Sequence, residues 1–302
     1  MISVLIPVFN RDVNELVDVL SKQLKLLNNL AEIIVMDDGS EAYYKNLNCK
    51  LAGIELVQYV ESDTNQGRIY CRQKLAAIAK YEWLLFLDCD SKIVSDQFLK
   101  TYCNKLTNSE QVIVGGRIYT SQKPNDCRFM LHWKYGTYRE VMRLGNQAHA
   151  NRFMTNNFFI SKNIFERFDF TGGWSGYGYE DTWMGIQLEA MNVPVIFINN
   201  PVIHDGIETS FVFIAKSKEA LENLKRLSEL IAPGILIKHV RLYYYFYRLQ
   251  SWRILWVMQL VYSIMKRYIN NNLQSCEPSL LKFDLYRLHY FVGVMNIKTT
   301  HA

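Results

Sequence analysis

Trp83-Leu84-Leu85-Phe86-Leu87-Asp88-Cys89-Asp90 is the stretch on which the reading turns. Five consecutive apolar residues read as a strand buried on both faces, the kind found inside a parallel sheet. Two carboxylates directly after them mark the carboxyl end of that strand. Upstream, Ser3 to Phe9 and Glu32 to Met36 are further short β-rich runs, and Ile54 to Val60 reads as a third. Between the first two, Asp12 and Glu15 open a helix whose Val13, Leu16, Val17, Leu20, Leu24 and Leu27 recur at helical spacing. Helices are predicted over Arg68–Lys80 and Ser95–Leu106, and a strand over Val112–Tyr119. Further along, a helix over Thr182–Met191 leads to a strand over Val193–Ile198. Alternation of this kind predicts an α/β fold with a mostly parallel central sheet flanked by helices.

In such sheets ligands gather outside the carboxyl ends of the strands. Asn10 follows the first strand, Asp37 and Asp38 the second, and Asp88 and Asp90 the buried one. Two acids side by side at a buried edge are costly unless a cation neutralises them, and oxygen ligands suit Mg2+ or Mn2+. Taken singly these motifs are ambiguous. An Asp-x-Asp or an Asp-Gly is common in turns, Asn65-Gln66-Gly67 is a plausible helix cap, and Arg72 is a plausible surface charge. Their shared position at strand ends is what carries weight.

The composition excludes several classes. Of 302 residues, 49% are apolar and 21% charged, which is globular and not disordered. Residues 235–302 hold nine Lys/Arg against two acids, whereas residues 1–234 hold 25 against 27. A uniformly basic nucleic-acid binder would not divide this way. The expected organisation is therefore a body over 1–234 and a basic, aromatic-rich helical extension over 235–302, with Pro233-Gly234 between them. No GxGxxG turn follows the first strand and no GxxxxGK[ST] loop occurs, which disfavours dinucleotide oxidoreductases and ATP or GTP hydrolysis. Six widely spaced cysteines without a CxxC pair point to neither a disulfide framework nor a zinc ribbon, and a reducing cytoplasm follows. The first apolar run lacks the basic region and cleavage site of a signal peptide. In the tail, the uncharged run Ile254–Met265 is too short to span a bilayer.

Ile6-Pro7-Val8-Phe9-Asn10, Val35-Met36-Asp37-Asp38-Gly39-Ser40, Asn65-Gln66-Gly67 with Arg72, and Asp88-Cys89-Asp90 occur in an order that resembles the nucleotide-binding half of family 2 glycosyltransferases of GT-A fold. The resemblance covers about residues 1–210. It implies that Pro7, Asp37 and Arg72 surround the nucleobase, that Asp88 approaches the ribose, and that Asp90 holds a metal on the diphosphate. Asn10, Asp38, Asn65 and Gly67 fall within the same nucleotide-sugar-binding motifs. A UDP-sugar is the donor the family implies. Trp174-Ser-Gly-Tyr177-Gly-Tyr179-Glu180-Asp181 is similar to the aromatic–Gly–Glu–Asp segment of β1,4-galactosyltransferase and chondroitin-polymerase-like enzymes. That likeness implies Asp181 as general base and Glu180 as a binder of acceptor hydroxyls. It also implies a later histidine, here His204, as a metal ligand. Tyr177 and Tyr179 stand where Trp and Gly are usual, but with Trp174 they keep aromatic rings for stacking on sugars.

The same residues make chemical sense without the family. Inverting sugar transfer needs one base for the acceptor hydroxyl and positive charge on the departing diphosphate. Asp181 can supply the first, and Mn2+ or Mg2+ on Asp90 the second. Glu180 and Asp181 equally suit the N-terminus of a helix by charge alone, and His204 equally suits a structural hydrogen bond. The expected function is transfer of a sugar to a carbohydrate hydroxyl in surface polysaccharide or glycan synthesis. In the tail, Tyr243–Tyr247, Trp252, Trp256, Tyr262 and Tyr268 interleave with Lys and Arg, a pattern suited to an anionic bilayer surface. Peripheral contact with the inner face of the cell membrane, where a lipid-linked glycan acceptor would lie, is the corresponding expectation for a cytoplasmic protein. The competing class is a non-catalytic nucleotide- or glycan-binding subunit recruited by the tail.

Overall fold

The computed structural model describes residues 1–27, 31–106, 110–141, 153–171 and 176–296. In chain order the elements begin with β1 (Ile2–Val8), α1 (Asn14–Lys25), β2 (Ala31–Asp37), α2 (Ala42–Asn48), β3 (Val57–Glu61) and α3 (Arg68–Ile78). There follow β4 (Trp83–Leu87), β5 (Ser91–Ile93), α4 (Phe98–Cys103), β6 (Val112–Val114), β7 (Arg117–Ile118) and α5 (Met130–Tyr135). Then come β8 (Asn157–Ser161), α6 (Lys162–Glu166), α7 (Glu180–Ala190), β9 (Val195–Phe197) and β10 (Val202–His204). The chain ends in α8 (Ser210–Leu230), α9 (Pro233–His239), α10 (Arg241–Ser251), α11 (Leu255–Leu273) and α12 (Leu280–Asn296).

Contacts divide the chain into two compact units. The first comprises Met1–Tyr119, Val141–Phe170 and Gln187–Gly206. Among its described residues a seven-stranded sheet runs β3-β2-β1-β4-β8-β6-β9, and a small second sheet runs β5-β10-β7. In the large sheet β1 is parallel to β2 and β4, β2 to β3, and β6 to β9, while β8 alone runs antiparallel. The expected mostly parallel sheet is therefore present, and Trp83–Leu87 is a strand as read. The apolar stripe of α1 (Leu16, Val17, Leu20, Leu24) is buried with Val4, Ile6, Ile33 and Val35 in one core, and α3 turns Cys71, Leu75 and Ala76 inward.

Two strands differ from the periodicity. Val112–Tyr119 breaks at Gly115-Gly116, where the chain leaves the large sheet for the small one. Gly116 is left-handed (φ 80°), and a side chain on Gly115 would strike the Tyr102 hydroxyl and the Asn157 amide. Pairing of β3 starts only at Val57, because Leu56 takes a left-handed turn (φ 65°).

The second unit comprises Thr120–Glu140, Thr171–Ile186 and Ile207–Ala302, and it is largely helical. Leu221, Leu224 and Leu227 of α8 share one core with Leu236, Tyr243, Phe246, Phe291 and Val292, so the helical extension packs on a helix that precedes it in sequence. Cys127 and Cys276, 149 residues apart, form a disulfide within this unit, whereas Cys49, Cys71, Cys89 and Cys103 are free. This corrects the expectation from spacing, which cannot see a pair brought together by the packing of distant helices. No described helix is long and apolar enough to cross a membrane.

Candidate active site

The parallel register sets the site's frame. Val8 ends β1 opposite Asp37, the last residue of β2, and β4 flanks β1 on its other side. Beyond β1, Asn10 adopts a left-handed conformation (φ 49°), accepts a hydrogen bond from the Glu41 amide and donates its own amide to Ser40 Oγ. Asp37 is fully buried. Its Oδ1 accepts the Ser40 amide at 2.7 Å, while its Oδ2 has no partner among the described residues. Asp38 accepts the amides of Gln66 and Gly67 at 2.9 and 2.8 Å. It thereby fixes the Asn65-Gln66-Gly67 loop that opens α3. Asn65 is exposed, and Pro7 lies within β1.

Arg72 is 2% exposed, an unusual place for a guanidinium. Its Nη2 donates to Asp88 Oδ1 at 2.9 Å and to the Thr155 carbonyl at 3.3 Å, and its Nε and Nη1 have no partner among the described residues. The Asp88 amide donates to the Asn156 carbonyl, which brings the 155–156 segment against the end of β4. Asn156 is 4% exposed, and neither atom of its side-chain amide has a partner among the described residues. Neighbouring Asn157 is the opposite case. It accepts from the Tyr102 hydroxyl at 2.6 Å and donates to the carbonyls of Gly116 and Asn200 at 3.0 Å.

Asp90 meets His204 through the small sheet. Antiparallel pairing of β10 with β5 places His204 opposite Ser91, and His204 Nδ1 lies 3.3 Å from Asp90 Oδ1. Burial pushes the Asp90 carboxyl up. The hydrogen bond and charge of His204, with Arg117 and Arg68 further out, outweigh burial and hold it at about 2. The pairing with His204 thus favours the ionised carboxylate. Tyr119 stands edge-on to the His204 ring. Burial, then the charges of Asp90 and Asp88, push the Cys89 thiol up to about 12, which makes it a filler and not a nucleophile.

In the second unit, Gly176 and Gly178 are left-handed (φ 71° and 100°), and so is Tyr179 (φ 67°). A Cβ on Gly178 would press on Ala220, so this segment lies tight against α8. Asn223 donates to the carbonyls of Tyr177 and Gly178 at 3.2 and 3.3 Å. The Tyr179 phenol is buried beside Arg287 and is pushed up to about 12, chiefly by burial. Glu180 and Asp181 then start α7, with Glu180 8% exposed and Asp181 less covered. Asp181 Oδ1 accepts the Thr182 amide at 2.7 Å. Lys216 lies over the Tyr177 ring at 5.4 Å. Trp174 lies outside the described residues.

The first unit thus gathers Asn10, Asp37, Asp38, Gly67, Arg72, Asp88, Asp90 and His204, and the second holds Tyr177, Tyr179, Glu180 and Asp181. Arg68 and Arg117 join the first group without a motif to announce them, and so does Asn156, which the sequence offers only as one of the pair Asn156-Asn157 before an apolar strand, suited equally to sugar hydroxyls and to a polar turn. For Asn156 the signal is present but divided, since the sequence offers two adjacent amides and only packing shows which is satisfied. Asp90 and His204 fit a divalent cation. They offer an ionised oxygen and an imidazole, and Gly206 leaves space that a Cβ would fill against the Asp90 carboxylate. Among the described residues no group of three or more His, Cys, Asp or Glu could hold a metal ion, so Asp90 and His204 stand as a pair and a ligand would have to supply the remaining positions.

The family model described as glycosyl transferase family 2 matches residues 3–168, more than half of the chain, and the chain belongs to that family. No curated protein matches it in sequence. Among solved structures, the mannosyltransferase PcManGT from Pyrobaculum calidifontis in complex with GDP-Man and Mn2+ is similar at a TM-score of 0.59 and 12% identity, over 97% of this chain and 85% of that one. Glucosyl-3-phosphoglycerate synthase from Mycobacterium tuberculosis, in complex with Mn2+, UDP and glucosyl-3-phosphoglycerate, aligns at 0.50 and 15% identity over 75% and 78% of the two chains. TarS from S. aureus aligns at 0.51 and 16% identity over 79% of this chain but 42% of its own. At these identities the likeness shows the fold, which is the GT-A architecture expected from the sequence.

Proposed function

We propose that this family 2 member is an inverting glycosyltransferase that moves a sugar from a nucleotide-sugar, with UDP-sugars as the first choice, to a carbohydrate hydroxyl. The observation that carries the donor reading is the set of buried polar atoms at the carboxyl edge of the sheet that have no partner among the described residues: Asp37 Oδ2, Arg72 Nε and Nη1, and the Asn156 amide. Such atoms cost about 1–3 kcal/mol each unless a ligand satisfies them. In this reading Pro7, Asn10, Asp37 and Arg72 hold the base, Asp88 faces the ribose, and Asn156 bonds donor hydroxyls. Asp38, Asn65 and Gly67 keep the loop beneath it in shape.

Asp90 and His204 would hold a divalent ion, and Mn2+ suits an oxygen–imidazole pair better than Mg2+, which prefers an all-oxygen shell. When bound, it neutralises charge on the leaving diphosphate. PcManGT and the mycobacterial synthase are each solved with Mn2+, which supports the choice. Asp181 takes the proton from the acceptor hydroxyl as the oxygen attacks the anomeric carbon, and Glu180 bonds the acceptor. Tyr177 and Trp174 offer stacking surfaces. These assignments follow the galactosyltransferase- and chondroitin-polymerase-like segment.

The tail adds a proposed location. Trp256, Leu260, Ile264 and Tyr268 recur every fourth residue along α11, each at least 53% exposed, and Trp252 at the end of α10 is 58% exposed beneath Arg248. With Arg267 on the same side of α11 and Arg253 just before it, this is an aromatic, aliphatic and cationic face of the kind that rests in an anionic headgroup layer. A lipid-linked glycan acceptor at the inner membrane face is the matching substrate, in the making of a surface polysaccharide. The activity is tested by hydrolysis of UDP-, GDP- and TDP-sugars with and without Mn2+. Metal-dependent release of the nucleotide, lost in Asp90→Ala, is expected. No release from any donor would favour a non-catalytic binding subunit.

A further inference from the structure

The second unit contains an open groove of about 480 Å3 between α8, α11 and α12, within the size range of small-ligand sites. Its lining is mixed in a particular way. Phe211, at the start of α8, is 77% exposed and presents a free ring at the lip. On the α11 side, the side-chain amides of Asn270 and Gln274 make no hydrogen bond to described residues. Across from them Tyr290 donates to Glu222 at 2.9 Å, and the Lys218 ammonium lies 5.4 Å from the Tyr290 ring.

The formal charge of this lining is one Lys against Glu219 and Glu222, a net negative. That disfavours a phosphate, a nucleotide or an acidic polymer. Rings, uncommitted amides and carboxylates together suit a neutral polyhydroxyl ligand, whose C–H faces stack and whose hydroxyls both donate and accept. The groove also touches the segment that carries Glu180 and Asp181. The Glu219 carboxylate lies where a Cβ on Gly176 would sit, and Glu219 lines the groove.

We propose that this groove is a second carbohydrate subsite, which holds sugar units of the acceptor beyond the one that is glycosylated. The proposal rests on the glycosyltransferase reading and extends it. A chain seated there would leave its terminal sugar toward the Gly176–Asp181 segment, so the enzyme would prefer an acceptor of several units to a single sugar.

The test uses the full chain with glucose, galactose and N-acetylglucosamine oligomers of one to six units, by isothermal calorimetry and saturation-transfer NMR. Affinity should rise at least tenfold from the monosaccharide to the tetrasaccharide in at least one series. Phe211→Ala and Gln274→Ala should each lower that affinity fivefold or more. Both positions are exposed, so folding survives, as circular dichroism would verify. Tyr43→Ala, an exposed ring on α2 in the other unit, should leave affinity unchanged. Absence of length dependence in every series, or full affinity in both groove variants, would overturn the proposal. Donor hydrolysis by the wild type separates the two readings. Hydrolysis without oligomer binding removes the groove alone, whereas oligomer binding without hydrolysis removes the catalytic assignment and keeps the groove.

Discussion

Asn156 and Asn157 are adjacent, buried and chemically identical, yet the structure gives them opposite roles, and replacing each by the near-isosteric Leu separates these. Asn157→Leu removes an acceptor for the Tyr102 hydroxyl and a donor shared by two carbonyls. Three hydrogen bonds are lost, and since the Gly116 carbonyl keeps the Val202 amide, two partners are left buried without one; at about 1 kcal/mol or more apiece the unfolding free energy should fall by at least about 2 kcal/mol. Asn156→Leu removes no hydrogen bond to a described residue, because neither amide atom has one among them. It also relieves the desolvation of that amide, so the ligand-free protein should gain about 1–3 kcal/mol. If the amide makes two bonds to bound donor, their loss costs about 1–3 kcal/mol of binding, or roughly 5- to 150-fold in Kd.

The signs are what matter: position 156 should trade affinity for stability, and position 157 should lose stability. Urea unfolding of the ligand-free variants, with equal m-values as a check on two-state behaviour, gives the first quantity. Calorimetric titration with the hydrolysable UDP-sugar and Mn2+ gives the second. Should Asn156→Leu destabilise the protein as much as Asn157→Leu, or bind donor as well as the wild type, the amide is structural and the reasoning from unpartnered atoms fails.

Three further outcomes follow. Asp181→Asn should reduce transfer by about 10²- to 10⁴-fold while UDP affinity stays at the wild-type value; unchanged turnover would remove Asp181 as the base. A Trp256→Glu/Ile264→Glu double variant should lose at least roughly 100-fold in flotation with phosphatidylglycerol vesicles, since each side chain forfeits about 1.5–3 kcal/mol of apolar burial; equal flotation would discard the membrane face. Thiol titration in denaturant should give four groups without reductant and six with it, and in the native state only exposed Cys49 should react quickly at pH 8. Cys71 and Cys89 are both held at about 12 by burial, leaving a thiolate fraction on the order of one in ten thousand; six groups without reductant would disprove the Cys127–Cys276 bridge.

Much of the first unit was legible because continuous apolar runs admit few arrangements. Trp83–Leu87 had to be an interior strand, and once β1, β2 and β4 are parallel neighbours, the acids that follow β2 and β4 fall on one edge. What could not be read was which polar groups the backbone would consume. Asp37 and Asp38 look equivalent in sequence, but Asp38 spends both oxygens on the loop before α3 while Asp37 keeps one free. The strand predicted over Val112–Tyr119 hid a change of sheet, since hydropathy continues through Gly115-Gly116 where pairing does not. His204 was legible as a residue type, but its meeting with Asp90 depends on the antiparallel register of β10 and β5. The disulfide depends on helices that meet only after folding.

The unpartnered atoms also bear on which part of a donor the sheet edge reads. Asp37 offers an acceptor and Arg72 offers donors, both are buried, and they do not pair with each other. An inorganic phosphate or pyrophosphate could satisfy Arg72, but it would meet Asp37 as a like charge in a poorly solvated setting, where repulsion is strongest. A nucleobase carries donors as well as acceptors, so it can satisfy Asp37 with an N–H while its carbonyls take the guanidinium. On the proposed reading, recognition at this edge includes the base, and Asp90 and His204 would hold the cation that offsets the charge of the diphosphate. Dividing the two demands in this way leaves Asp37 Oδ2 at the end of β2, and Nε and Nη1 of Arg72 on α3, for the base, while Arg72 Nη2 stays with Asp88.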